Sequence, residues 1–298
     1  MSAVVQKTRA RSAGITAGSV LAAVAALVYV ISAAAQQYQA SYVKRAGFYH
    51  AQKNYDGAIA ELNEAIRLNP RDRVAVYNRG LSHYARKDYD SAIADYSRAI
   101  ELDPQFAKAY GSRAVAYKAK GDFDQAMADY DRALQIRPDP IVFHNRGIAR
   151  HARKDYAGAI ADYTEAIRLD PKRADAFYNR GCVYYAMKDY DHAMLDYSEA
   201  ARLDPKNADA YGNRGIVYRI KGNYESAIAD YDRALQIRPD PVDFHNRGLA
   251  WYAKGDYNRA IADYDRALEL NPQWTALRDD RARAEHARAQ SYSGSGRS

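Results

Sequence analysis

The chain has 298 residues, of which 48% are hydrophobic and 27% charged, with a formal charge of +7 and a single cysteine. That balance excludes a disordered polar chain, and one cysteine excludes both an internal disulfide framework and a cysteine-based zinc site. The positive charge lies at the ends, with Lys7, Arg9 and Arg11 on one side and five Arg against three acids from residue 275 on the other, so no basic stripe offers itself to nucleic acid.

Residues 1–13 form a basic leader to an apolar run. Gly14 to Ala35 is free of charge for 22 residues, enough for a membrane-spanning helix of about 20 residues. Ala33-Ala34-Ala35 also resembles the end of a cleaved secretory signal. Both readings keep the basic end in the cytoplasm and send the rest across the membrane. The first expects a single-pass anchor with the remaining chain periplasmic or extracellular; the second expects secretion after cleavage near Ala35. Gly14 and Gly18 could pair two spans.

From Gln39 the sequence is periodic. Segments 39–72, 73–106, 107–139, 140–173, 174–207, 208–240 and 241–274 share one pattern, and fixed self-similarity of this length signals a repeat architecture. LQIRPDPIVFHNRG at 134–147 returns as LQIRPDPVDFHNRG at 235–248, a displacement of three repeats. In 174–207, Phe177, Gly181 and Tyr184 recur at helical spacing, as do Ala193, Tyr197 and Ala200. Lys188-Asp189-Tyr190-Asp191 separates the two runs, and Pro205 ends the second. Each segment therefore predicts a helical hairpin. One hairpin cannot bury its apolar face, but stacked copies can. The polar, helix-prone 275–290 predicts a capping helix, and 291–298 a flexible tail.

The repeated residues identify the pattern. Small residues stand at Gly80, Gly147, Gly181, Gly215 and Gly248, with Ala46 and Ala114 in the other two repeats. Alanines follow at Ala58, Ala92, Ala126, Ala159, Ala193, Ala227 and Ala260, and prolines close the repeats at Pro70, Pro104, Pro138, Pro171, Pro205, Pro239 and Pro272. The chain resembles the tetratricopeptide repeat family over 39–274. The departures are His83 and Arg150 at an aromatic position and Leu62 where later repeats have Tyr. The resemblance implies an all-α solenoid with a right-handed superhelix, whose first helices line a groove with positions 2, 5, 9 and 12. Positions 5, 9 and 12 are Tyr77, Leu81, Tyr84; Gly111, Val115, Lys118; His144, Ile148, His151; Tyr178, Cys182, Tyr185; Gly212, Ile216, Arg219; and His245, Leu249, Tyr252. The rings of Tyr178 and Tyr185 are expected to face this cavity and not the stack. The Lys and Asn with which some family members clamp a terminal carboxylate are absent at positions 5 and 9.

Each repeat also pairs an Arg with an acid sixteen residues later: Arg79 and Asp95, Arg113 and Asp129, Arg146 and Asp162, Arg180 and Asp196, Arg214 and Asp230, Arg247 and Asp263, with Arg45 and Glu61 in the first repeat. A hairpin would bring each pair together as a rung fixing helix register. No phosphate loop, nucleophile elbow or zinc-spaced histidine pair appears, and Cys182 reads as a small apolar filler. The sequence thus points to a membrane-tethered, non-catalytic scaffold without cofactor or metal, holding a protein or peptide in its groove. The alternative is a homo-oligomeric assembly unit, pairing through the span or the end repeats.

Overall fold

A computed structural model describes residues 17–295. Fifteen helices are described, and the chain divides into two compact units, Met1–Ile136 and Arg137–Ser298. Unit one holds α1 (Ala17–Ala51), α2 (Tyr55–Leu68), α3 (Arg73–Ala85), α4 (Tyr89–Leu102), α5 (Ala107–Ala119) and α6 (Phe123–Ile136). Unit two holds α7 (Pro140–Ala152), α8 (Tyr156–Leu169), α9 (Ala174–Ala186), α10 (Tyr190–Leu203), α11 (Ala208–Ile220), α12 (Tyr224–Ile237), α13 (Pro241–Ala253), α14 (Tyr257–Leu270) and α15 (Thr275–Ser295). Within each unit, helices pair as antiparallel hairpins and successive hairpins stack, the additive core of an all-α solenoid.

Polar residues that recur in every repeat turn out to be helix caps. Asn54, Asp88, Asp155, Asp189, Asn223 and Asp256 each accept the backbone N–H three residues ahead, satisfying a donor that the first helical turn leaves open. The Pro-Asp-Pro segments end on the same device. Asp139 caps α7 and Asp240 caps α13, each followed by a proline in the first turn, where no amide proton is needed.

The turn inside each hairpin requires a left-handed residue. Gly121, Gly222 and Gly255 supply it at φ of 76–84°, while Lys53, Lys87, Lys154 and Lys188 are held at 60–65°. The helices then close on a tyrosine. A Cβ added at Gly181 would stand 2.9 Å from the Tyr197 ring, and Gly80, Gly147, Gly215 and Gly248 meet Tyr96, Tyr163, Tyr231 and Tyr264 in the same way. These tyrosines are among the largest fully buried side chains, with small alanines packed beside them.

The ends differ from expectation. α1 is one continuous helix through Ala35 and into the first hairpin, because Ala33 to Gln39 contains neither a capping residue nor a helix breaker. Along its N-terminal half Leu21 (70% exposed), Leu27, Val28 and Tyr29 present exposed apolar side chains. Among the described residues no helix is long and apolar enough to cross a membrane. The charge-free run and its Gly14-x-x-x-Gly18 pattern begin outside the described residues, as do the basic residues 1–13. At the other end, α15 continues past residue 290 to Ser295. It covers α14 through Leu277 and Ala284, both buried. Residues 296–298 of the expected tail lie outside the described residues.

Replacing Lys188 with Gly relieves a left-handed conformation that costs an L side chain about 1 kcal/mol. Lys188→Gly is expected to stabilise the protein by about 0.5–1 kcal/mol, read as a higher thermal midpoint, whereas Gly222→Lys lowers it.

Candidate functional site

The arginine of each first helix meets its acid across the hairpin. Arg79–Asp95, Arg113–Asp129, Arg146–Asp162, Arg180–Asp196, Arg214–Asp230 and Arg247–Asp263 stand 2.6–2.8 Å apart. The contact is two-pronged: Arg180 Nε donates to Asp196 Oδ2 and Nη2 to Oδ1, both at 2.8 Å. The carboxylates are buried, Asp196 to 5% exposure, and the guanidiniums are half-buried; those of Arg113, Arg146, Arg180, Arg214 and Arg247 lie over an aromatic ring, as Arg180 lies 5.6 Å from the centre of Phe177. Arg45–Glu61 is the more exposed member of the series.

A third arm of these arginines is invisible in single-repeat spacing. Nη1 reaches back to the second helix of the preceding hairpin: Arg79 to Asn63 at 2.8 Å, Arg113 to Ser97 at 2.9 Å, Arg180 to Thr164 at 2.9 Å and Arg214 to Ser198 at 3.1 Å. Each guanidinium thus joins two hairpins. α15 repeats the device, with Arg281 bonded to Asp265. The sequence signal was available, since Arg281 follows Arg247 by one repeat length.

Position 5 corrects the expected groove. Tyr77, His144, Tyr178 and His245 are tied into the stack rather than presented to the cavity. Their rings rest on the core tyrosines, Tyr77 at 5.6 Å from Tyr96 and Tyr178 at 5.9 Å from Tyr197. Their polar tips reach the sixth position of the next first helix or, for His245, of α15. Tyr77 Oη lies 3.0 Å from Ser112 Oγ, His144 Nε2 lies 2.8 Å from Asn179 Nδ2, and His245 Nε2 lies 2.8 Å from Asp280 Oδ2. Asn213 Nδ2 donates to Tyr178 Oη at 3.1 Å. His144 is only 7% exposed. The reason is geometric: a ring at this position is long enough to span one inter-repeat step.

The groove face is therefore built from positions 9 and 12. Unit one contributes Leu81, Tyr84, Val115 and Lys118; unit two contributes Ile148, His151, Cys182, Tyr185, Ile216, Arg219, Leu249 and Tyr252. All are half-buried except Tyr252, whose ring is exposed and leans on Tyr257. Burial lowers the pKa of Lys118 and of His151 and raises that of the Cys182 thiol, which keeps the histidine and the thiol uncharged near neutrality. Position 2 adds exposed apolar side chains at Val74, Ile141 and Val242. Among the described residues no group of three or more His, Cys, Asp or Glu is placed to hold a metal ion.

Gly212 leaves position 5 without a ring, and Asp243 from α13 fills the space, its Oδ1 at 2.7 Å from where a Cβ would be. The carboxylate is 8% exposed. Burial, reinforced by Asp240 and Asp209 and opposed by Arg238, pushes its pKa up to about 6.

Stacked helical hairpins with a small residue set against an aromatic define a helical-repeat protein of the kind that serves as an interaction scaffold. The chain belongs to the tetratricopeptide repeat family. The family model described as tetratricopeptide repeat matches 107–140, 174–207, 208–241 and 244–273, and that described as TPR repeat matches 48–86, 80–121 and 147–188. Proteins of this family generally act as protein-interaction scaffolds. No curated protein matches the chain. Among solved structures, a tetratricopeptide repeat protein from Parabacteroides merdae superposes with a TM-score of 0.58 at 18% identity, over 84% of this chain and 99% of that one. PilF of Pseudomonas aeruginosa gives a TM-score of 0.64 at 23% identity, over 72% of this chain and 100% of that one. YrrB, titled a TPR protein with an unusual peptide-binding site, gives 0.52 at 26% identity, over 65% of this chain and 97% of that one.

Arg180→Ala strands the buried Asp196 and is expected to cost about 2–4 kcal/mol. Adding Asp196→Ala should recover part of that loss. A double-mutant cycle by urea denaturation checks the coupling, and strictly additive effects would show that the pair contributes nothing.

Burial raises the folded pKa of the Asp243 carboxyl from the ordinary carboxylate range to about 6. Its stability contribution is therefore fully present below the unfolded pKa and is lost as pH rises through about 6. Asp243→Asn should stabilise the protein by about 1–2 kcal/mol at pH 7.5 and by almost nothing at pH 4, a figure already reduced for partial solvent access. Thermal melts of variant and wild type at both pH values read the difference.

Proposed function

We propose that the chain is a membrane-tethered, non-catalytic scaffold that holds an extended or helical peptide of a protein partner against the groove faces of its first helices. The observation that carries this reading is the row at positions 9 and 12. Aliphatic side chains form its floor, and hydroxyl, imidazole and cationic tips form its edge, a composition suited to a peptide with alternating apolar anchors. The peptide-binding site named for YrrB agrees with such a use of the fold. The exposed apolar side chains of the N-terminal half of α1 support tethering: a contiguous apolar surface of that kind calls for cover by lipid or protein. In this reading the span includes the charge-free run from Gly14, with the basic residues before it on the cytoplasmic side and the hairpins on the other.

The test compares partner capture by the full chain, by a Tyr185→Ala/Tyr252→Ala variant and by Glu165→Ala, which alters a half-buried residue of the second helix α8. Groove aromatics of this kind typically hold about 2 kcal/mol each, so the double variant should lose its partner by tenfold or more. Glu165→Ala should keep it. A partner retained by the folded groove variant would place binding elsewhere. Membrane fractionation should find the full chain in the pellet after an alkaline wash and a chain lacking 1–35 in the supernatant.

A further inference from the structure

The first hairpin departs from its neighbours at three positions that face one another. Val43 stands where α3 and α9 carry Tyr77 and Tyr178, Gly47 stands where they carry Leu81 and Cys182, and Leu62 replaces the core tyrosine. No side chain of the neighbouring helix moves in to compensate, unlike Asp243 at Gly212. The result is a pocket of about 160 Å³, lined by Val43, Ala46, Gly47, Leu62 and Leu81 on its apolar sides. A cavity of about 150 Å³ lined by aliphatic side chains accommodates one benzene ring.

One polar wall matches a contact made elsewhere in the chain. Asn78, at the sixth position of α3, lines the pocket. Its counterpart Asn213 binds the Tyr178 hydroxyl at 3.1 Å, and its counterpart Ser112 meets Tyr77. Val43 offers Asn78 no such group. At the far end His50 Nδ1 and Ser82 Oγ are 3.0 Å apart and already engaged with each other. Gly47 is exposed and gives the pocket its mouth, and a Cβ there would meet nothing within 4 Å.

We infer that this pocket is a binding site for the side chain of a partner's tyrosine, whose ring takes the place that the chain's own Tyr77 and Tyr178 occupy in later hairpins. Its hydroxyl bonds Asn78 and its ring lies between Leu62 and Leu81. Phenylalanine would leave Asn78 unpaired, and imidazole would set a polar ring against aliphatic walls. The inference rests on the groove being a peptide-binding face only in assigning the ring to a partner; the pocket itself can be tested alone.

The probe is p-cresol, with toluene as the same shape lacking the hydroxyl, titrated into the full chain by ligand-observed NMR. Wild type should bind p-cresol about threefold or more tighter than toluene, the worth of one hydrogen bond. Asn78→Leu should erase that preference. Gly47→Leu should abolish binding of both while leaving the thermal midpoint at or above wild type, since leucine is the better helix former. Absence of p-cresol binding, binding that survives Gly47→Leu, or toluene binding equally well to wild type would each overturn the inference. If the probe behaves as expected while Tyr185→Ala/Tyr252→Ala retains its partner, the pocket stands and the groove reading falls. If the probe fails while that variant loses its partner, the reverse holds.

Discussion

Each of the first-helix arginines Arg79, Arg113, Arg180, Arg214 and Arg247 is held by two neighbours at once, and the stacking depends on that arrangement. Its paired carboxylate lies across its own hairpin, and its remaining arm reaches the hairpin before it. The pairing is not free of cost. Burial pushes the Asp230 and Asp263 carboxyls up against the pull of Arg214 and Arg247, so the rungs add less stability than their short distances suggest. What they add is register. A hairpin shifted by one residue would leave a buried carboxylate without its guanidinium and a guanidinium without its second anchor.

With register fixed by the arginines and close approach by the glycine–tyrosine contacts, other positions are released to vary. Position 5 shows the range. A tyrosine or histidine bridges to the next hairpin, a glycine admits an aspartate from it, and a valine leaves an open pocket. All three occur on the same helical scaffold. The groove is therefore not a uniform surface repeated along the chain, even though its frame is.

The hairpins and the arginine–acid register were legible because both obey a short, repeated spacing that a helix converts directly into a face. Asp139 and Asp240 were read only as part of a motif, yet their role as caps follows from an acid immediately before a proline. The inward turn of Tyr178 and His144 was not legible from spacing alone. Whether a ring at position 5 faces the cavity or the next hairpin depends on the inter-repeat step and on a partner such as Asn213 thirty-five residues away. The continuity of α1 was missed for a different reason. A change from apolar to polar composition after Ala35 looks like a boundary, but the backbone needs a breaker or a cap to stop, and Ala33 to Gln39 has neither.

That continuity gives the first hairpin a phase. A helix advances about 1.5 Å and turns about 100° per residue, so α1 fixes both the height and the heading of its C-terminal part relative to its apolar N-terminal half. One residue inserted after Ala35 would swing the Gly47 face through more than a quarter turn, while seven would return it almost to its starting direction about 10 Å further out. Length between Ala35 and Gln39 thus acts as an angular setting rather than as slack.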